Sequence, residues 1–447
     1  MRVLKNFPYK KALVLGLARS GTAVAKLLLA SGIQLTINDR SEEKTEEMDG
    51  FIKAGAKLVL GSHPISVLDG VEVIIKNPGI PYDQELLQIA LERGIPILTD
   101  IELIQYVFSG SITGITGSNG KTTTTRLIED MFRYEGLTYS VAGNIGTPVT
   151  EVAPSLAEDT QLILELSSFQ LLGIENFKPH VSVLLNLYEA HLDYHKTREN
   201  YEEAKFNIFK NQDESDYLVY NRDDDKICEV VIRSKAKLIP FSQKESLPDG
   251  AWVKKGIIYY KDEKIIDRDH IVLAGNHHLE NILASIATAK IHGISTEAII
   301  KTLTSFKGVK HRLQFVEEIK ERKFYNDSKA TNMLATIKAL ESFDRPTILL
   351  AGGLDRGDDL SHLIPYLDSV KSMIVFGENA EKFIELAREI SLPYKRARDV
   401  KEATYIAYEQ SSKGDVILLS PASASWDQYP SFEERGDMFI HTVHKLS

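Results

Sequence analysis

Gly117-Ser118-Asn119-Gly120-Lys121-Thr122-Thr123 stands between an apolar run at 111–116 and a helical stretch at 121–134. The order is strand, glycine-rich turn, Lys-Thr pair, helix. It builds an anion site out of backbone, because N–H groups at the turn and at a helix N-terminus point at phosphate oxygens. In such a loop Lys121 reaches the β and γ phosphates and the Thr122 hydroxyl ligates Mg²⁺. Strict spacing of the motif puts a glycine at position 115, which here is Ile115, so the loop is a variant. The plainer alternative is a glycine-rich turn carrying a surface lysine. The agreement of all the parts, in order, argues against it.

The same alternation extends in both directions. Upstream, Ala12-Leu13-Val14-Leu15-Gly16-Leu17 reads as a buried strand, Ala18-Arg19-Ser20-Gly21 as a small-residue turn, 22–30 as a helix and 33–38 as a second strand ending at Asp39. That is the opening of a doubly wound sheet. Further strands are expected at 71–76, closed by Asn77-Pro78-Gly79, and at 95–98. Downstream, strands at 162–166 and 181–185 run directly into polar residues, as strands do when they deliver side chains to a site. A helix is expected at 198–209, a hairpin at 252–260 turning on Lys255-Gly256, and a helix at 276–292. A last unit begins near Leu313, with strands at 347–351, 373–376 and 416–420. The fold class is therefore α/β in three domains, at 1–100, 101–310 and 311–447, each a mainly parallel sheet layered with helices.

Bulk properties narrow the function. At 447 residues the chain exceeds one ordinary core. Its net charge of −10 argues against broad nucleic-acid binding, which needs a basic face. Cys228 is the single cysteine, which excludes an internal disulfide and fits a reducing compartment. The N-terminus lacks a signal-peptide h-region, and no run of about 18 apolar residues occurs. The expectation is a cytosolic enzyme that does not span a membrane.

Individual residues leave more open. Gly16-Leu17-Ala18-Arg19-Ser20-Gly21 departs from a dinucleotide fingerprint at Ala18, and Asp39 stands about where an acid would meet a ribose. A nicotinamide site, a nucleotide-sugar site and a plain tight turn are all compatible with it. Glu165 ends an apolar strand, where a carboxylate needs a partner such as a metal ion. His191 lies just past the strand at 181–185, and a lone histidine there is as readily structural as functional. Lys205, with Glu202, Glu203 and Ala204 beside it, reads as a solvated helical lysine.

Several blocks together resemble the Mur ligases, which build the peptide of bacterial cell-wall precursors. They are the loop 117–123, Glu165-Leu166-Ser167-Ser168-Phe169-Gln170, and Asn186 through His191-Leu192-Asp193 with Tyr201 and Lys205. Further on come His311-Arg312, Asn326-Asp327-Ser328-Lys329-Ala330-Thr331-Asn332 and Leu419-Ser420-Pro421-Ala422-Ser423-Ala424-Ser425-Trp426-Asp427-Gln428-Tyr429. The last two look like the D-glutamate-adding branch. The resemblance spans essentially the whole chain in the same order.

It implies a Rossmann-like N-terminal domain for the UDP substrate, a P-loop-type central ATPase and a Rossmann-like C-terminal domain for the amino acid. The reaction implied is ATP-dependent phosphorylation of the alanyl carboxylate of UDP-N-acetylmuramoyl-L-alanine, then attack by the D-glutamate amine. By the same resemblance, Arg19, Ser20, Gly21 and Asp39 meet the uridine diphosphate. Gly117, Ser118, Asn119, Gly120, Lys121, Thr122, Thr123, Asn144, Asn281, Arg312 and Asp327 hold ATP. Lys121, Glu165, His191 and Lys205 carry the catalysis. Thr122, Glu165, His191 and a carbamylated Lys205 hold two Mg²⁺ ions. Lys329, Thr331, Arg356, Ser425 and Phe432 hold D-glutamate. Two departures stand out. Arg356 falls where some members carry lysine, and His278, in Gly275-Asn276-His277-His278-Leu279-Glu280-Asn281, replaces a usual asparagine on the adenine side. The partners expected are these small molecules only, and the chain is expected to be a monomer. The rivals are a ligase for another amino acid, a folate polyglutamate ligase, a nucleotide-dependent switch and a nicotinamide oxidoreductase.

Overall fold

The computed structural model describes residues 2–188, 190–273 and 278–446. The chain forms two compact units, Met1–His270 with Glu280–Thr302, and Ile271–Leu279 with Leu303–Ser447. The first unit holds two sheets. One comprises β1 (Lys11–Leu15), β2 (Gln34–Asp39), β3 (Lys57–Leu60), β4 (Val73–Lys76) and β5 (Ile97–Leu98), in the order β3-β2-β1-β4-β5. All its pairings are parallel. The other comprises β6 (Ile112–Thr116), β7 (Tyr139–Gly143), β8 (Gln161–Glu165), β9 (Val181–Leu184), β10 (Tyr217–Asn221), β11 (Lys237–Ser242), β12 (Ala251–Lys254), β13 (Ile257–Tyr260) and β14 (Glu263–Asp267). Its order is β14-β13-β12-β11-β10-β9-β6-β8-β7. It is parallel from β7 to β12; the expected hairpin is the antiparallel pair β12–β13, and β14 pairs antiparallel to β13 at the sheet edge.

The chain leaves β6 toward β7 and β8 on one side and returns to β9 on the other. Loops at the carboxyl ends of β6, β8 and β9 therefore diverge and leave a crevice, which is where ligands bind in open α/β sheets. Every residue of β6 is buried. The apolar runs that read as strands are continuous because such strands are covered on both faces.

The second unit has one sheet: β15 (Gln314–Ile319), β16 (Arg322–Asn326), β17 (Thr347–Gly352), β18 (Val370–Phe376), β19 (Tyr394–Arg396) and β20 (Val416–Leu419). Its order is β15-β16-β20-β17-β18-β19, parallel except for the β15–β16 hairpin.

Two expectations need correction. The first helix runs Arg19–Ala30, so Arg19, Ser20 and Gly21 form its opening turn and not the loop before it. Apolar periodicity misses that turn because of Gly21. A Cβ there would sit 1.8 Å from the Gly16 carbonyl oxygen, so the helix start is packed by backbone. The expected helix 198–209 ends at Phe206 and continues as a 3₁₀ turn, Asn207–Phe209. Of the block at 275–281, Gly275, Asn276 and His277 lie outside the described residues. The helix that follows runs His278–Ile291, with His278 buried.

Two helical glycines make a paired test. Gly21→Ala is expected to destabilise the first unit by more than about 2 kcal/mol, since the clash is with backbone. Gly50→Ala, in the helix Glu46–Lys53 with nothing within 4 Å of the added methyl, is expected to stabilise by about 0.5–1 kcal/mol. Denaturant titration of each variant checks both signs.

Candidate functional site

Gly120 caps the helix Lys121–Glu135 at φ +82°. A side chain there would be strained, and its Cβ would lie 2.0 Å from Asn281 Oδ1. Both facts call for glycine. The loop is braced from the β9 side, where Ser118 N donates to Asn186 O and Asn119 N donates to Asn186 Oδ1, each at 2.9 Å. Ser118 Oγ and Tyr201 OH are 2.8 Å apart. The first-turn N–H groups of the helix have no intrahelical acceptor, which leaves them for an anion.

Glu165, at the end of β8, is 1% exposed. Its Oε2 accepts from Thr122 Oγ1 at 2.7 Å and its Oε1 from Asn144 Nδ2 at 2.8 Å. Gly143, before Asn144, has φ +107°, and a Cβ would come within 2.4 Å of Glu165 O. The carboxylate is thus held between neutral donors at the mouth of the phosphate loop.

Lys205 is only 2% exposed, which corrects its reading as a solvated lysine. Its Nζ donates to Gly117 O at 2.9 Å, and Lys121 Nζ donates to the same oxygen at 2.7 Å. Burial, with Lys121 next in weight, pushes the Lys205 ammonium well below the ordinary lysine range, against an opposing pull from Glu165. A neutral amine is thereby made accessible.

His191 sits at φ +56°, a left-handed conformation rare for a non-glycine and often tied to function. Burial, then Lys205 and Lys121, lower its pKa, so the ring is held neutral, the form that ligates metals. The Phe169 ring packs edge-on against it at 5.0 Å.

Hydroxyl and carboxylate oxygens at Thr122 and Glu165 are the hard donors that Mg²⁺ takes, and Mg²⁺ keeps waters for its other positions. The residues present fit that ion. No cluster of three or more His, Cys, Asp or Glu suited to a metal occurs among the described residues. Thr122 and an unmodified lysine fall outside such a set.

The N-terminal sheet presents a second part of the unit. Asp39 Oδ2 accepts from Leu17 N at 2.5 Å and Oδ1 from Ser41 N at 2.7 Å. Asn77 Nδ2 donates to Ser20 Oγ at 3.3 Å, and Arg19 Nη1 to Gly146 O at 2.8 Å.

In the second unit, Asp327 Oδ1 accepts from Leu313 N at 3.0 Å and Oδ2 from Ser420 Oγ at 2.9 Å. Lys329 Nζ lies 5.0 Å over the Phe432 ring. Ser425 is buried, and its hydroxyl meets no hydrogen-bond partner among the described residues. Arg312 and Arg356 are exposed, and Thr331 is half-buried.

The residue reading passed over two buried groups. Lys76 ends β4 and is 1% exposed, with Nζ donating to Pro78 O, Ile80 O and Tyr194 OH at 2.9–3.0 Å. A lysine closing an otherwise apolar strand was its signal. His195 Nε2 meets Ser168 Oγ at 3.0 Å, and burial lowers its pKa to about 4. Nothing in its local sequence marked it.

The Mur ligase MurD-like N-terminal domain matches residues 10–99, the Mur ligase middle domain 115–289, and the Mur ligase glutamate ligase domain 311–423. The chain is 54% identical to the UDP-N-acetylmuramoylalanine–D-glutamate ligase of Oceanobacillus iheyensis, over 100% of both chains. It is 50% identical to that of Bacillus subtilis, over 97% of each. Among solved structures, the UDP-N-acetylmuramate–alanine ligase of Thermotoga maritima superposes with a TM-score of 0.56 at 15% identity, over 98% of this chain and 100% of that one. The MurF ligase of Thermotoga maritima in complex with ADP gives 0.56 at 20%, over 100% and 98%. These two likenesses concern the fold.

Burial raises the Asp327 carboxyl from 3.8 to about 7. The folded state holds that proton more tightly than the unfolded one, so stability falls as pH climbs from about 4 toward 7. Asp327→Asn keeps both hydrogen bonds within reach and is expected to lose this part of the slope. Unfolding free energies of both proteins across that range check it; identical slopes contradict it.

Proposed function

The chain belongs to the Mur ligase family and is an ATP-dependent ligase; from that premise we propose the reaction and the residues that perform it. D-glutamate is joined through its amine to the alanyl carboxylate of UDP-N-acetylmuramoyl-L-alanine, with release of ADP and phosphate, in peptidoglycan precursor synthesis. The observation that carries the reading is Glu165 between Thr122 and Asn144, beside a phosphate loop on which the Lys121 and Lys205 side-chain nitrogens converge.

The alanyl carboxylate oxygen attacks the γ-phosphorus of ATP, the bond to the β-phosphate oxygen breaks, and an acyl phosphate forms. The D-glutamate nitrogen then adds to the acyl carbon, and the tetrahedral intermediate expels phosphate as the nitrogen gives up a proton. Two anions must meet, so charge neutralisation and positioning matter more than a covalent protein partner. Lys121 neutralises and orients the transferring phosphoryl group. Asn144 and Thr122 fix the Glu165 carboxylate. Mg²⁺, one ion at Thr122 and Glu165 and a second at His191 and carbamylated Lys205, would offset phosphate charge. The depressed Lys205 pKa favours the neutral amine, whose nitrogen can add CO₂ with loss of a proton. That turns a cation into an oxygen ligand.

Arg19, Ser20, Gly21 and Asp39 take the UDP part, and the Asp39 oxygens keep lone pairs beyond those given to Leu17 and Ser41. Gly117–Thr123, Asn144, Asn281, Arg312 and Asp327 take ATP. Lys329, Thr331, Arg356, Ser425 and Phe432 take D-glutamate, whose two carboxylates call for cations and hydroxyls. The functional division is 1–100 for the UDP substrate, 101–310 for ATP and 311–447 for the amino acid, in a cytoplasmic monomer. No described helix is long and apolar enough to cross a membrane.

Supplied with ATP, Mg²⁺ and UDP-N-acetylmuramoyl-L-alanine, the protein is expected to yield the dipeptidyl product with D-glutamate, read by mass spectrometry. Turnover with L-lysine and none with D-glutamate overturns the assignment. Lys121→Ala is expected to lose at least about a hundredfold in kcat, the scale of one transition-state charge contact. Lys205→Ala is expected to regain part of its activity with a short added carboxylate; recovery with an amine instead contradicts the carbamate.

A further inference from the structure

Trp426 is 66% exposed, an unusual place for an indole to stand without a reason. It follows Ser425, whose buried hydroxyl is unpartnered among the described residues. Across from it, the Arg356 guanidinium carbon lies 5.0 Å over the centre of the Trp426 ring. Both residues sit on loops at the carboxyl edge of one sheet, past β17 and β20.

These loops are tied together. Leu354 N donates to Ala424 O at 2.9 Å, Gly353 N to Asn379 Oδ1 at 2.9 Å, and Asn379 Nδ2 to Ser423 Oγ at 2.6 Å. The acids next to the pair are engaged elsewhere. Asp355 accepts from Lys382 Nζ at 2.6 Å and Gly357 N at 2.8 Å, and Asp427 accepts from Glu378 N at 3.0 Å. Arg356 forms no ion pair among the described residues, where Arg388, Arg396 and Arg398 of the same unit each pair with a glutamate. A guanidinium over an indole face keeps its planar N–H fork for a carboxylate.

We propose that Trp426 is a positioning residue of the amino-acid site, a platform that holds Arg356 in place to grip a carboxylate of the incoming amino acid. The proposal rests on the D-glutamate reading above and adds a residue to it. An exposed arginine loses rotamer freedom when it grips an anion, and a stacking partner removes that cost beforehand. Arginine profits from such a platform because its plane matches the ring, which a lysine at this position would not do.

The experiment measures steady-state kinetics of the full chain with D-glutamate, ATP and the UDP substrate. Trp426→Leu is expected to raise the KM for D-glutamate about fivefold, the scale of an exposed cation–π contact, with kcat and the KM for ATP near wild type. Trp426→Phe, which keeps an aromatic face, is expected to recover most of the loss. In an Arg356→Ala background Trp426→Leu is expected to add little, because the two act as one unit. An unchanged KM for D-glutamate in Trp426→Leu overturns the proposal. So does an equal fall in kcat with all substrates, or a Trp426→Leu effect that persists undiminished without Arg356. If the wild-type protein makes no product with D-glutamate, the reaction assignment itself fails, a result distinct from any of these.

Discussion

The Glu165 carboxylate, closed off from water at the end of β8, has to be satisfied by something, and the first unit is organised around how that is done. Thr122 comes to it from the helix after the phosphate loop, and Asn144 from the loop after β7. An unpaired carboxylate at that depth would cost several kcal/mol, about what two charge-assisted hydrogen bonds return. The pair of bonds therefore fixes where β7, β8 and the Lys121–Glu135 helix end relative to one another. Gly143 allows the approach, since any side chain there would strike the Glu165 carbonyl. The phosphate loop inherits its position from this contact and from Asn186 on the other flank.

Much of this was legible in the residues because it is backbone chemistry. Strands covered on both faces read as unbroken apolar runs, and Leu162-Ile163-Leu164 is one of them. The glycine-rich turn between strand and helix announced an anion site without any side-chain geometry. What could not be read was burial of charge. The helix Arg198–Phe206 has a polar composition, yet it buries Tyr201, Glu202, Ala204, Lys205 and Phe206. Composition gave Lys205 a solvated face, and only the resemblance pointed elsewhere. The start of the first helix at Arg19 was hidden for a related reason: its opening turn is packed by a missing side chain, at Gly21, and periodicity registers only side chains that are present.

The second unit meets the same problem with opposite sign. Arg435 is fully buried, and its guanidinium donates to Ser328 Oγ at 3.0 Å, Ser328 O at 2.9 Å and Ser423 O at 3.0 Å. Burial lowers its pKa to about 10, which still leaves it charged at neutral pH. One cation thus clasps the 326–332 loop and the 419–429 loop, the two blocks that resemble the D-glutamate-adding branch. Those blocks lie about 90 residues apart in the chain, and their common clasp was not visible in either one.

A pattern joins the two units. Glu165, Lys205, Lys76, Asp327 and Arg435 are all buried and ionisable, and the hydrogen bonds that hold them run to hydroxyls, amides and backbone. Buried acids paired with a cation do occur, at Glu202, Asp216 and Asp415, but their partners Arg198, Lys178 and Lys371 reach in from the surface. A charge held by neutral dipoles keeps its field, whereas a charge held by a counter-ion has spent it. An enzyme that must bring a triphosphate, a carboxylate and a dicarboxylic amino acid together needs positive field that protein acids do not cancel; of the five, Arg435 stays a cation, while burial pushes Lys205 toward the neutral amine and brings Lys76 and Asp327 to about 7. Satisfying buried charges with dipoles meets the cost of desolvation and leaves the electrostatics for the ligands. Arg356, stacked on an indole instead of paired with an acid, follows the same rule at the surface.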